Sequence, residues 1–393
     1  MYKKRLAVIT GTRAEYGLLR PVIFNLLASP RVKPELIVTG AHLAPEYGYT
    51  VREIEADNLP VAARIEILKF GHGPLALPQT VAYTINEFAR WFEQNKPDGV
   101  LVLGDRYEIF AAAQAAAMMG VPIAHISGGD VTLGAADDYY RHCITKMASL
   151  HFPSCEEYAR RVIRMGEDPR RVFNVGGLGD ENIRTMPKLT LSELSESIEF
   201  DLSRPYGLVT FHPETAPGAP APADQMTAML DAMESIHAIT GLRYVITKSN
   251  ADAGGAAINA MIDEWTARHG DYAAAYTSLG VKRYLSAMQY AAVVIGNSSS
   301  GVVETPTFGV PTVNIGNRQA GRIICPNVLC CPAERTAIRN ALLQAVSPEF
   351  TAAAHETVSP YYGGNTAARI TELLEIALND PAFAAPKGFY DGE

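Results

Sequence analysis

Short apolar runs, each followed by a longer amphipathic stretch, alternate along this chain in two separate series. That rhythm restricts the fold severely. A parallel neighbour cannot be reached through a tight hairpin, so strands joined by helical crossovers produce this alternation and antiparallel meanders do not. In the first series the spacing predicts strands at Arg5–Thr10, Pro34–Thr39, Gly99–Leu103 and Pro122–Ile126, and helices near Tyr16–Ala28, Pro78–Gln94, Tyr107–Met118 and Asp138–Ser149. The second series predicts strands at Gly207–Phe211, Tyr244–Thr247, Ala273–Tyr276, Ala292–Gly296 and Pro311–Ile315, with helices near Asp224–Ile239, Ala256–His269, Lys282–Ala291 and Ala333–Val346.

After Val172–Val175 the alternation pauses in a Ser- and Glu-rich stretch, Thr185–Ser203, which contains Pro187 and is followed by Pro205; it reads as a linker. A chain of 393 residues exceeds the usual size of one hydrophobic core. The expectation is an α/β protein of two Rossmann-like, doubly wound domains. The first covers residues 1–185 and the second 186–364. The last helix, Thr366–Leu378, follows the turn sequence Pro360-Tyr361-Tyr362-Gly363-Gly364, which lets the segment 365–393 return to complete the first domain.

No run approaches the roughly twenty apolar residues that span a bilayer. The start reaches Gly11 and Arg13 too soon for a signal peptide. The five cysteines lack zinc-site or disulfide spacing, so they read as reduced thiols. A net charge of −8 argues against a nucleic-acid partner, which needs a broad basic face. The expectation is a soluble cytoplasmic protein with neither a membrane nor a nucleic acid as partner.

The residues that carry chemistry follow the strands. Gly11-Thr12-Arg13 stands between a strand and a helix start, where backbone N–H groups and an arginine favour an anion; the GxGxxG pattern of dinucleotide binding is absent. Gly104-Asp105-Arg106-Tyr107-Glu108 follows the most apolar strand. Its Asp105 suits a general base or a partner to hydroxyls, and the Asp105-to-Glu108 spacing also fits a helix capping box. The segment His125-Ile126-Ser127-Gly128-Gly129-Asp130, then Asp137, Asp138, Arg141, His142 and Lys146, gathers carboxylates and cations around a glycine loop. Such crowding separates the pKa values of acid and base partners. In the second series, His212 follows a strand, and Asn297-Ser298-Ser299-Ser300-Gly301 opens a helix containing Glu304. Hydroxyls at a helix start suit a pyrophosphate, and Glu304 suits ribose hydroxyls. Arg318 and Arg322 lie in the loop after the next strand and can neutralise phosphate.

Taken in order, GTRAEYG, GAHLAPEYG, LGDRYE, HISGGD with DDYYRHCITK, FHPET, NADAGG and NSSSGVVETPTFGVPTVNIGNRQAGR resemble the hydrolysing UDP-N-acetylglucosamine 2-epimerase family of sialic- and legionaminic-type sugar pathways. The resemblance implies a GT-B fold with the active site between two Rossmann-like domains, and a homo-oligomer, dimer or tetramer. It implies a nucleotide-sugar substrate, most readily UDP-linked. A base removes the proton at sugar carbon 2 while the diphosphate leaves carbon 1; water then adds to the glycal, and carbon 2 is reprotonated on the other face. Carried onto this sequence, the acid and base groups come from Asp105, Asp130, Asp137, Asp138 and His212. Arg13, His42, Glu108, Arg141, His142, Ser298, Ser299, Ser300, Gly301, Glu304, Arg318 and Gln319 bind substrate. The scheme needs no metal and no cofactor.

The sequence departs from the family in one loop, where Ser127 and Leu133 stand at positions that carry glutamate in some relatives. The division of acid and base roles among the five candidates stays open. So do the sugar (N-acetylglucosamine or a 2,4-diacetamido-6-deoxy sugar) and the base of the nucleotide. The rival readings are a non-hydrolysing epimerase, which would return diphosphate to carbon 1, a GT-B glycosyltransferase, and a sensor that binds without turnover.

Overall fold

In the computed structural model, described for residues 3–71, 73–132, 136–214, 220–249 and 255–392, both sheets are wholly parallel and share one strand order. The first sheet comprises β1 (Lys4–Thr10), β2 (Val32–Thr39), β3 (Val61–Ile65), β4 (Gly99–Leu103), β5 (Ile123–Ile126) and β6 (Leu150–Phe152), arranged β3-β2-β1-β4-β5-β6. The second comprises β7 (Tyr206–Thr210), β8 (Arg243–Thr247), β9 (Ala273–Tyr276), β10 (Val293–Gly296), β11 (Thr312–Ile315) and β12 (Val328–Cys331), arranged β12-β11-β10-β7-β8-β9. Each order reverses direction once, between β1 and β4 and between β7 and β10. Loops leaving the carboxyl ends of the strands diverge at such a reversal and leave a crevice. Four of the segments singled out in the sequence start there.

The alternation of side chains explains why the central strands read as unbroken apolar runs. On β1, Leu6 and Val8 enter one core layer with Leu19, Val22 and Leu26 of α1 (Arg13–Ala28), while Ala7 and Ile9 enter the opposite layer with Phe88, Phe92 and Ile109. Both faces are covered, so the middle of the strand, Leu6–Ile9, is wholly apolar. The second sheet is covered likewise: Val209 packs with Met226 and Met233, and Leu208 with Leu194 and Met288.

The structure adds β3, β6 and β12 to the strands expected, and all three lie at a sheet edge. All three are short, and β3 and β12 are half exposed. The alternating exposure along Val61–Ile65 and the three-residue length of Leu150–Phe152 left too weak an apolar signal. The stretch Thr185–Ser203 is also more than a linker. It holds a helix, Leu191–Ser197, whose Thr190 and Glu193 form a reciprocal capping box, and Leu194, Ile198, Phe200 and Leu202 enter the second sheet's core.

The chain divides into two compact units, residues up to Asn182 together with those from Tyr361 onward, and Ile183–Pro360. The returning helix packs Ile370, Leu374 and Leu378 into the layer of α1. Among the described residues, no helix is long and apolar enough to cross a membrane.

Candidate active site

At the first unit's reversal point, one arginine ties the loops together. Arg141 lies on α3 (Ala136–Met147), with α2 (Tyr107–Met118) preceding it in the chain. Its guanidinium is almost fully enclosed and pairs through Nη2 with Asp105 at the end of β4. Nη1 donates to the Asp130 carbonyl at 2.8 Å and to Asp138 Oδ1 at 3.1 Å, and Nη2 reaches Thr132 Oγ1 at 3.3 Å. Asp138 Oδ1 also accepts the Thr132 N–H at 2.9 Å, and its Oδ2 lies 3.5 Å from His142 Nε2. A planar fork with five donors suits such convergence; an ammonium could not make these bonds together. Asp137, one residue earlier, is raised by partial desolvation and then by the charge of Asp105. Three carboxylates and an arginine thus share one small volume, an arrangement in which neighbouring acids acquire different proton affinities.

The loop that carries Asp130 is shaped by the histidine and glycines before it. His125 is fully buried and held down to about 3 by desolvation, so it is neutral. Its Nε2 lies 2.8 Å from the Gly104 carbonyl, which assigns the proton to that nitrogen, and Nδ1 lies 3.2 Å from Thr145 Oγ1. A side chain on Gly128 would meet Thr145 Oγ1 at 2.9 Å, and one on Gly129, whose φ is +88°, would meet the Tyr158 carbonyl at 2.5 Å. Both glycines are therefore needed for the loop to lie this close to its neighbours. Arg161, on α4 (Glu156–Arg164), donates to the Gly129 carbonyl at 2.5 Å. Two arginines thus hold successive carbonyls of the loop. Ser127 adopts a left-handed φ of 63°, uncommon for a residue with a side chain; Leu133 lies outside the described residues.

The Gly11-Thr12-Arg13 segment differs from the expectation of an open anion site. Thr12 caps α1, and Glu15 closes the capping box by accepting the N–H groups of Gly11 at 2.7 Å and Thr12 at 3.1 Å. The N–H groups of Gly11 and Thr12, just ahead of the helix, are thereby taken by Glu15, and the Glu15 N–H by Thr12 Oγ1 at 3.3 Å. Arg13 is exposed and pairs with Glu53 at 2.9 Å. His42 is fully buried between Thr10 Oγ1 at 3.0 Å and Thr50 Oγ1 at 2.8 Å, and desolvation lowers it to about 4. Glu108 is fully enclosed and pairs with Arg106 at 2.6 Å; the helix starts at Tyr107, so the Asp105–Glu108 capping box does not form. In these positions His42 and Glu108 can support the loops around them.

In the second unit, Asn297 ties together the two loops at the reversal point. Its Oδ1 accepts the His212 N–H and its Nδ2 donates to the His212 carbonyl, both at 2.8 Å. The His212 ring lies 3.2 Å from Ser249 Oγ through Nδ1. Gln319, expected to bind substrate, is buried and donates to the Asn297 carbonyl at 2.8 Å, so it braces the Asn297 loop. Glu214 Oε2 accepts the Asn317 N–H at 2.9 Å and anchors the arginine loop. Arg318 and Ser299 are exposed. The helix expected after Ser300 is two short pieces, Ser300–Val303 and Thr305–Phe308, with Glu304 at the joint and Pro306 in the first turn of the second. Ser300 Oγ donates to Glu304 Oε2 at 2.5 Å, and burial raises the Glu304 carboxyl. Gly301 is buried.

The model of the family described as UDP-N-acetylglucosamine 2-epimerase matches residues 25–375. The chain belongs to the UDP-N-acetylglucosamine 2-epimerase family. A GDP/UDP-N,N'-diacetylbacillosamine 2-epimerase (hydrolyzing) of Campylobacter jejuni is 36% identical over 84% of this chain and 84% of its own length. Polysialic acid biosynthesis protein P7 of Escherichia coli is 35% identical over 99% of this chain and 97% of its own. The crystal structure of the UDP-GlcNAc 2-epimerase from Neisseria meningitidis bound to UDP-GlcNAc superposes with a TM-score of 0.74 at 17% identity, covering 94% of this chain and 99% of that one. The fold is therefore the GT-B arrangement of this epimerase family.

Within that family frame, the structure brings Asp105, Asp130, Asp138, Arg141 and His142 together in the first unit, and His212, Asn297 and Gln319 together in the second. Sequence reading missed Arg161, Thr145, Asn297 and Glu214 as supports of the site. The signal available was spacing: Thr145 lies one helical turn beyond Arg141. Nothing local in the sequence points Arg161 at the Gly129 carbonyl.

Proposed function

We propose that this enzyme is a hydrolysing 2-epimerase of a UDP-linked 2-acetamido sugar, releasing UDP and a free sugar of manno configuration. The observation that carries this reading is the Asp105–Arg141–Asp138 network with Asp137 beside it. Epimerisation at carbon 2 moves one proton off one face of the sugar and another onto the opposite face, so it needs two ionisable groups in different protonation states. Arg141 keeps Asp105 compensated, and the Asp105 charge in turn favours the proton on Asp137. Asp137, at the mouth of this network, is the group that exchanges a proton with carbon 2, and Asp105 and Asp138 fix its surroundings. In the second unit, Ser298, Ser299, Arg318 and the imidazole of His212 meet the departing diphosphate, where fixed donors stabilise the charge that develops as the carbon 1–oxygen bond breaks. Glu304, held by Ser300, meets the ribose.

The hydrolytic outcome and a diacetylated sugar are supported by likeness to the hydrolyzing diacetylbacillosamine 2-epimerase of Campylobacter jejuni, and a sialic-acid-type pathway by likeness to the polysialic acid biosynthesis protein of Escherichia coli. The same reading places the enzyme in the cytoplasm as a homo-oligomer. Incubation with UDP-GlcNAc, and separately with UDP-N,N'-diacetylbacillosamine, in deuterium oxide tests it by NMR. The expected product is a free sugar deuterated at carbon 2, with UDP. Appearance of an epimerised UDP-sugar instead would replace the hydrolytic reading with the non-hydrolysing one, and a product retaining its original carbon-2 hydrogen would rule out elimination.

A further inference from the structure

Helix α3 carries Asp138 and Arg141 toward its beginning; its far end is held by residues that no part of the proposed chemistry uses. A helix leaves its last carbonyls without partners inside itself. Here the cap comes from far along the chain: Lys387 Nζ lies 2.7 Å from the Ala148 carbonyl and 3.5 Å from that of Thr145. An ammonium at this end also suits the partial negative charge of the helix terminus.

The same ammonium is 2.6 Å from Glu167 Oε2. Glu167 is almost wholly buried, and it also receives Lys146 Nζ of α3 at 2.5 Å and His151 Nε2 of β6 at 3.0 Å. Burial alone would raise its carboxyl, but the bonds from His151, Lys146 and Lys387 outweigh that and hold it down to about 2. One carboxylate thus joins α3, β6 and the segment around Lys387. Two further contacts fasten that segment. The Phe389 ring packs on Gly166, where any added side-chain carbon would fall 2.3 Å from it, and lies 4.9 Å from Lys146 Nζ. Tyr390 N–H donates to the Gly166 carbonyl at 3.0 Å.

From the strapped end, the path to the site is short. Thr145 Oγ1 donates to the Arg141 carbonyl at 3.0 Å and lies beside His125, whose Nε2 holds the carbonyl of Gly104, the residue before Asp105. A shift of the last turn of α3 therefore moves Arg141 relative to Asp105.

We propose that Lys387 is a positioning residue: with Phe389 and Tyr390 it straps the end of α3 and so keeps Arg141 and Asp138 in register with Asp105. This rests on the epimerase reading above for its catalytic consequence. An isolated helix of 12 residues is marginal by itself, so its placement depends on such external ties.

The test uses the full chain with Lys387→Met, Phe389→Ala and the conservative Lys387→Arg. Three quantities are read: amide exchange of peptides covering α3, affinity for UDP by calorimetry, and kcat with KM. Lys387→Met and Phe389→Ala are expected to speed exchange in α3 by about tenfold and to lower kcat by about tenfold. UDP affinity should stay within about twofold, because the diphosphate-binding residues belong to the other unit. Lys387→Arg, which can reach the same acceptors, should restore kcat. A merely structural tie would lower the fraction of folded protein without this split between kcat and UDP binding. Unchanged α3 exchange in both variants overturns the strap, and faster exchange with wild-type kcat overturns its positioning role. Should the wild-type protein turn over no nucleotide sugar, the epimerase reading falls, while exchange in α3 still decides whether the strap exists.

Discussion

Glu15 stores a measurable free energy in the fold. Its carboxyl is 6% exposed, and burial, followed by the nearby charge of Glu108, raises it from 4.5 to about 8. Among the described residues its Oε1 has no hydrogen-bond partner, while Oε2 takes the Gly11 and Thr12 N–H groups. The folded protein therefore favours the protonated form. Stability from this group is fully present below the unfolded value near 4.5 and is lost as pH rises through about 8. At about 1.4 kcal/mol per pKa unit, the full loss is roughly 5 kcal/mol, of which roughly 3 has already been incurred at pH 7. Glu15→Gln keeps an acceptor oxygen for the two N–H groups and has no proton to gain. The variant should match the wild type near pH 4.5 and exceed it at neutral pH. For a unit of this size, roughly 3 kcal/mol corresponds to about 6–12 °C in melting temperature. Thermal melts of both proteins from pH 5 to 8.5 provide the assay, read by signals from the first unit. Parallel curves across that range would refute the reasoning, since they would mean that Glu15 folds already ionised.

Two further substitutions separate the units. Arg141→Lys keeps the charge but cannot join Asp105, Asp138 and the Asp130 carbonyl at once, so kcat should fall by about a hundredfold with UDP affinity retained in calorimetry; wild-type kcat would remove Arg141 from the centre of the site. Arg318→Ala should weaken UDP binding by about tenfold, the value of one charge-assisted contact to phosphate, and an unchanged dissociation constant would move the diphosphate away from this loop.

The fold was legible where burial is two-sided. β1, β4, β7 and β10 have helices on both faces, so their buried positions are mostly apolar and stand out as runs, with Thr10 and Thr210 at the ends of β1 and β7 as buried polar exceptions. β3 and β12 are edge strands with one side open, and their mixed composition resembles a loop. The linker reading of Thr185–Ser203 failed for a related reason: the buried residues Leu194, Ile198, Phe200 and Leu202 are spread among serines and glutamates and form a face only once the helix at Leu191 is capped.

The site was legible to the level of loops and not to the level of contacts. Loop positions follow from strand order, because β1–β4 and β7–β10 neighbour each other wherever the chain reverses its direction of winding; the conspicuous residues after those strands had to converge in their own unit. Which side chain faces a ligand depends instead on distances set by partners elsewhere in the chain. Gln319 and His42 look like ligand-binding residues by type, yet each is held by protein groups, Gln319 through its amide nitrogen and His42 through both ring nitrogens, whereas Asn297, inconspicuous beside three serines, fixes His212 through both its amide atoms. The Gly128-Gly129 pair shows the same dependence. Its conformational requirement could be suspected from the sequence, but its cause is the Thr145 hydroxyl and the Tyr158 carbonyl, contributed by two helices that follow it in the chain. Asp130 therefore owes its place to Arg141 and Arg161 holding the loop carbonyls from those same helices. A substitution at either arginine should then disturb the acid–base network even though neither needs to touch the sugar.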